Sequence, residues 1–120
     1  MPDFHTSWQD IPIFTKTYAL YKAFYLYLPS FPKKDRYTLG QRIELALLDL
    51  IEGIVVASNL GKDEKLPVLK KASTSIDILR VLFKLGKDLK TIENKNYTIF
   101  ENDINEIGKM LGGWIKTTNS

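Results

Sequence analysis

Histidine and cysteine carry much of the metal and nucleophile chemistry of small proteins. This chain has one histidine and no cysteine. The lone histidine, His5, stands in the N-terminal segment without a second ligand beside it, and reads as a solvated side chain. The lack of cysteine excludes disulfides, thiolate metal sites and cysteine nucleophiles together. No His-Glu-x-x-His run is present, and no glycine loop of the kind that cradles phosphate. Gly108, Gly112 and Gly113 fall inside a helical pattern, where they read as close-packing positions or a softened helix end. Carboxylates are more numerous. Glu101, Asp103 and Glu106 are near neighbours and read as a solvated face, whereas Glu44, Asp49 and Glu52 interrupt a strongly apolar stretch. Glu52 is flanked by core-type residues, so it is expected to be partly buried and to need a cation such as Arg42 or Arg80. Such a pair is structural rather than catalytic. These residues define no catalytic centre, no metal site and no cofactor site, and the expected class is not an enzyme.

The basic residues point to binding. Lys70, Arg80, Lys84 and Lys87 fall on one side of a helix at about 100° per residue, with Asp77 as the one interruption. Lys33, Lys34, Arg36 and Arg42 form a second cluster. Stripes of this kind bind phosphate electrostatically and largely without regard to sequence. The alternative is a face that only solvates a bundle. With three arginines in the chain, base-specific readout by bidentate guanidinium groups is not expected.

The elements that must hold these groups are helical. At 120 residues the chain fits one domain, and 44% hydrophobic with 26% charged residues is a globular composition. The formal net charge is +3. No apolar run reaches the roughly 18 residues of a membrane helix, and the start Met-Pro-Asp-Phe-His is unlike a signal peptide. A cytoplasmic protein is expected.

Residues 1–10 read as a tail that packs Phe4 or Trp8 onto a domain over 11–120. Asp10 offers an N-cap and Pro12 a first helical turn. Two apolar rows follow, Ile13, Leu20, Phe24, Tyr27 and Phe14, Tyr18, Tyr21, Tyr25, Leu28, until Pro29 and Pro32 stop the helix. A second helix begins between Asp35 and Thr38 and runs to about Leu60 through Ile43, Leu47, Leu50 and Ile54, with Ala46, Gly53 and Ala57 on a small-residue row. Asp63 or Glu64 opens a third, with Pro67 in its first turn and Gly86 weakening its end near Lys90. After a polar loop over 91–95, Tyr97, Phe100, Ile104, Ile107, Leu111 and Trp114 mark a fourth helix from about Tyr97 to Ile115. The fold class is all-α, an antiparallel four-helix bundle. The first two helices are apolar around more of their circumference than one core requires, which leaves a thick monomer core and an oligomer both open.

Several stretches taken together resemble one family. They are Lys16-Thr17-Tyr18, Pro32 through Ile43 with its Thr38-Leu39-Gly40-Gln41-Arg42 run, Asp49-Leu50-Ile51-Glu52-Gly53, Leu79-Arg80, Glu106-Ile107-Gly108, and Leu111-Gly112-Gly113-Trp114-Ile115-Lys116. In this order they resemble the Avd family, the accessory variability determinants of diversity-generating retroelements. That family is related to the four-helix-bundle proteins encoded in intervening sequences of bacterial 23S rRNA genes. The resemblance spans about residues 11–116. It implies a homopentameric barrel with a basic surface, association with a reverse transcriptase, and binding of RNA or DNA in support of mutagenic cDNA synthesis, without enzymatic activity. Arg36, Arg42, Lys70, Arg80, Lys84 and Lys87 are then the expected contacts. The alternative is an oligomeric scaffold for a protein partner, with no retroelement role. Asp35 and Ser58 stand where related sequences often carry His and Arg, and both lower the local positive charge.

Overall fold

The computed structural model describes residues 11–120. The segment 1–10, and with it His5, Phe4, Trp8 and the proposed Asp10 cap, lies outside the described residues. Four helices account for most of the rest: α1 (Pro12–Tyr27), α2 (Gln41–Ser58), α3 (Lys62–Asp88) and α4 (Asn94–Asn119). No strand occurs among the described residues. α1 and α3 each pack against both α2 and α4, which makes an up-and-down four-helix bundle. The 27 residues of α3 rise about 40 Å at 1.5 Å each, close to the 45 Å long axis of the molecule.

The apolar rows find their expected places. Ile13, Leu20 and Phe24 of α1, Ile43, Leu47, Leu50 and Ile54 of α2, Leu69, Ile76, Leu79 and Phe83 of α3, and Phe100, Ile104, Ile107 and Leu111 of α4 are buried. One end of the core is aromatic. Phe24 meets Phe31 and Phe100 edge-on at 5.7 and 5.8 Å between ring centres, and Phe83 stacks on Phe100 at 5.3 Å.

The element ends differ from the sequence expectation, each for a local reason. Ile11 occupies the N-cap of α1, with no side-chain cap bond. The second helical path starts earlier, with a turn at Lys33–Asp35. It widens into a π segment at Arg36–Gly40 and becomes regular α2 at Gln41. Gly61 caps α3, so Pro67 sits in the second turn rather than the first. Its missing N–H leaves a gap in the ladder one turn in.

The end of α3 reverses another expectation. Leu89 is the C-cap and Lys90 turns left-handed at φ 64°. The Lys90 N–H donates to Lys87 O at 3.0 Å and the Thr91 N–H to Gly86 O at 2.8 Å, the two bonds of a Schellman motif. Thr91 and Ile92 are buried rather than part of a polar loop. Ile92 packs straight onto Gly86, where a Cβ would come within 2.5 Å of Ile92 Cδ1. Gly86 therefore closes the helix end instead of weakening it. α4 starts at Asn94 and continues through Gly112 and Gly113, whose missing side chains face open space.

Candidate nucleic-acid interface

The side of the bundle between α3 and α4 carries most of the expected site. Lys70, Arg80, Lys84 and Lys87 are all exposed along α3, as the 100° reading requires. Three of them have partners. The Arg80 guanidinium lies across Gly108 of α4, donates from Nε to Asn105 Oδ1 at 3.0 Å and pairs with Asp77 at 2.9 Å. An alanine Cβ at Gly108 would come within 2.6 Å of that guanidinium, so this glycine is a close-packing position. Lys84 pairs with Asp88 at 2.9 Å. Lys87 holds its ammonium 4.9 Å from the centre of the Tyr97 ring. The stripe thus has two acidic members, Asp77 and Asp88. Their i,i+3 and i,i+4 spacings to Arg80 and Lys84 were legible in the sequence. Asn105 and Tyr97, contributed across the helix seam, were not.

The second basic cluster divides. Arg42 is exposed on α2. Arg36 is half-buried and turned inward, donating from Nη2 to Pro29 O at 3.1 Å and Phe31 O at 3.4 Å. Its buried Nε has no partner among the described residues. Next to it Asp35 accepts a hydrogen bond from the buried Thr91 hydroxyl at 3.2 Å. Ser58, the other departure noted in the sequence, donates to Ile54 O at 2.8 Å and so stays within its own helix.

The carboxylates also take structural posts. Asp103 and Glu106 are not merely solvated. Lys16 of α1 reaches both, at 3.5 and 3.0 Å, and joins α1 to α4. The hydrogen bond to Glu106, the largest effect, holds the Lys16 ammonium above its ordinary range against a smaller opposing effect of burial. Tyr97 donates to Glu101 at 2.9 Å, and burial together with that bond raises its phenol. Tyr21 donates to Glu44 at 2.8 Å across the α1–α2 seam. Burial first, and then Glu44, push the Tyr21 hydroxyl up to about 12. Glu52 corrects the sequence reading. It is exposed and forms no ion pair with any described residue, because its apolar neighbours turn inward around it. No group of three or more potential metal ligands occurs among the described residues, and no helix there is long and apolar enough to cross a membrane.

An all-helical four-helix bundle with a basic side built on α3 is the class of protein these features define. A family model described as bAvd-like matches residues 12–118, and the chain belongs to that family. The family is an accessory, non-catalytic kind of protein. None of the curated proteins compared with the chain matches it.

Proposed function

We propose that this protein is a non-enzymatic accessory factor of a diversity-generating retroelement. It works in the cytoplasm as a homopentamer that binds template RNA or cDNA and the reverse transcriptase. The observation that carries the nucleic-acid part is the run of exposed cations Lys70, Arg80, Lys84 and Lys87 along about 25 Å of α3. Phosphates recur along a single strand at a spacing such a run can follow, and each neutralised phosphate releases counterions. Family membership supports the accessory role.

The test is binding of a single-stranded RNA as a function of salt. Lys84→Glu combined with Lys87→Glu is expected to weaken binding and to reduce the slope of log K against log salt by about 1.4, from about 0.7 per lost phosphate contact. No binding of the wild-type protein at low salt refutes the nucleic-acid reading. A second reading has its own support. Asp77 and Asp88 already pair with Arg80 and Lys84 and dilute the charge of the stripe. In that reading the oligomer is a scaffold for a protein partner outside any retroelement, and its binding to that partner survives high salt.

A further inference from the structure

A groove of about 530 Å³ opens at one end of the bundle, and all four helices contribute to it. Ile11 and Pro12 at the start of α1, Ser58 at the end of α2, Lys65 of α3, and Met110 and Trp114 of α4 form its walls. The two polar groups among them are already engaged. The Ser58 hydroxyl donates to Ile54 O at 2.8 Å, and the Lys65 ammonium lies 5.6 Å from the centre of the Trp114 ring. The other walls are apolar, so the groove suits a bulky apolar side chain rather than a polar ligand.

The chain carries such a side chain at the edge of its own groove. Segment 1–10 joins the described residues at Ile11, which is itself a wall. Ile11 is extended, at φ −74° and ψ 125°, as a residue before proline is disposed to be, so the chain does not continue the helix past it. Met1, Phe4 and Trp8 are the large apolar residues of the segment, and Trp8 stands nearest, three residues from Ile11. Three residues reach about 10 Å at most, which confines the indole to the neighbourhood of the groove. A tether that short gives it an effective concentration of about millimolar there. Phe4, farther along, is held less closely. Charge favours the same occupant. The segment has Asp3 and Asp10 and no lysine or arginine. Lys65 is the one charged residue among the described residues lining the groove, and it forms no ion pair with any of them. Asp63 and Glu64, in the exposed first turn of α3, do not line it.

We propose that Trp8 docks in the groove of its own chain, against Trp114 and Met110, and pins segment 1–10 across this end of the bundle. An aromatic side chain of this size buries about 150–250 Å², and both an indole face and a thioether are favourable partners for it. The docking is independent of the nucleic-acid reading. Lys65 lies about 33 Å along α3 from Lys87 at 1.5 Å per residue, so a segment held here leaves Lys84 and Lys87 open.

Trp8 and Trp114 are the two tryptophans of the chain, so a substitution at Trp8 leaves Trp114, in the groove wall, as the sole reporter. The test compares acrylamide quenching of Trp114 fluorescence in full-length Trp8→Phe and Trp8→Asp, at matched helicity by circular dichroism. Both variants leave every wall of the groove native. Phenylalanine keeps a ring that can dock and aspartate does not, so the quenching constant is expected to be severalfold higher in Trp8→Asp. Should Trp8→Asp lower the helicity, Trp8→Ser takes its place. Equal constants overturn the docking. A difference that disappears on dilution shows that the ring comes from another copy, and overturns docking within the chain. A rise produced by Phe4→Asp in the Trp8→Phe chain, and not by Trp8→Asp, assigns the groove to Phe4 and overturns the choice of Trp8.

Discussion

Gly53 and Gly86 both lie inside helices, where glycine costs about 1 kcal/mol relative to alanine. Their surroundings give the two alanine substitutions opposite signs. At Gly53 of α2 an added Cβ meets only Ala72 Cβ, at 3.5 Å, an ordinary van der Waals contact. Gly53→Ala therefore gains most of the helix term, about 0.5–1 kcal/mol. At Gly86 the added Cβ lies 2.5 Å from Ile92 Cδ1 and 2.9 Å from its Cγ1. Relief requires Ile92 to retreat by about 1 Å toward normal carbon separations. It has little room to do so, being 1% exposed, and its own N–H is bonded to Gly86 O at 3.0 Å. The residue that must move is tied to the residue that pushes it. Overpacking of this kind costs about 1–3 kcal/mol. The tether places Gly86→Ala at the upper end, a net loss of about 2 kcal/mol after the helix gain. Urea unfolding followed by circular dichroism reads both variants. With a slope of about 1–3 kcal/mol per molar, Gly86→Ala lowers the midpoint by about 1 M while Gly53→Ala raises it by less. A Gly86→Ala midpoint at or above wild type refutes the close-approach reasoning.

Three further outcomes follow from single observations. Lys90 holds φ 64°, so Lys90→Gly is expected to stabilise by about 1 kcal/mol, read as a higher thermal midpoint; a lower one shows that the left-handed turn is unstrained. The Tyr21 hydroxyl, pushed up to about 12 by burial and then by Glu44, stays neutral where free tyrosines ionise. Because its folded value is raised, its stabilising contribution is complete below about pH 10 and is lost as pH rises through about 12. An absorbance titration should show a late phenol step that Tyr21→Phe removes. Arg80→Ala loses the bonds to Asn105 and Asp77; with the side chain 42% exposed, the expected loss is about 0.5–1 kcal/mol. Lysine cannot span both partners as the guanidinium fork does, so an Arg80→Lys variant as stable as wild type refutes the bracing role.

The bundle was legible because its signal is periodic. Rows such as Ile104, Ile107 and Leu111 name a buried face whatever their partners are. The spare apolar width of the first two helices was legible in the same way, and it corresponds to the exposed Tyr18, Tyr25, Leu45 and Leu48. Contacts between helices were not, since spacing within one helix says nothing of what the next helix offers. Glu52 shows this limit. Its neighbours Ile51 and Gly53 suggested burial, yet it points outward and exposed. Gly86 shows the converse. A glycine near a helix end reads as a weak point until Ile92, six residues on, is seen resting on it. In the basic stripe the positions were legible from α3 alone, but the partners Asn105 and Tyr97 come from α4.

The stretch from Pro32 to Ile43, which carries much of the family resemblance, builds the corner between α1 and α2. A Cβ at Gly40 would displace Leu28 Cδ1 and would lie 3.2 Å from the Phe31 ring and 3.3 Å from Asp35 O, so glycine there lets the π segment fold closely against the end of α1. Arg36 donates to two carbonyls of the connection, Pro29 O and Phe31 O. Arg42, two residues past that glycine, is exposed on the outer surface. The two arginines of one motif thus have different duties. Arg36→Ala removes charged hydrogen bonds to one exposed and one part-buried carbonyl and is expected to cost about 1 kcal/mol. Arg42→Ala is expected to stay within about 0.5 kcal/mol of wild type while weakening RNA binding at low salt. Unfolding and binding measured on both variants separate these effects. If Arg36→Ala unfolds at the wild-type midpoint, the corner does not depend on that guanidinium, and Arg36 returns to the pool of phosphate contacts.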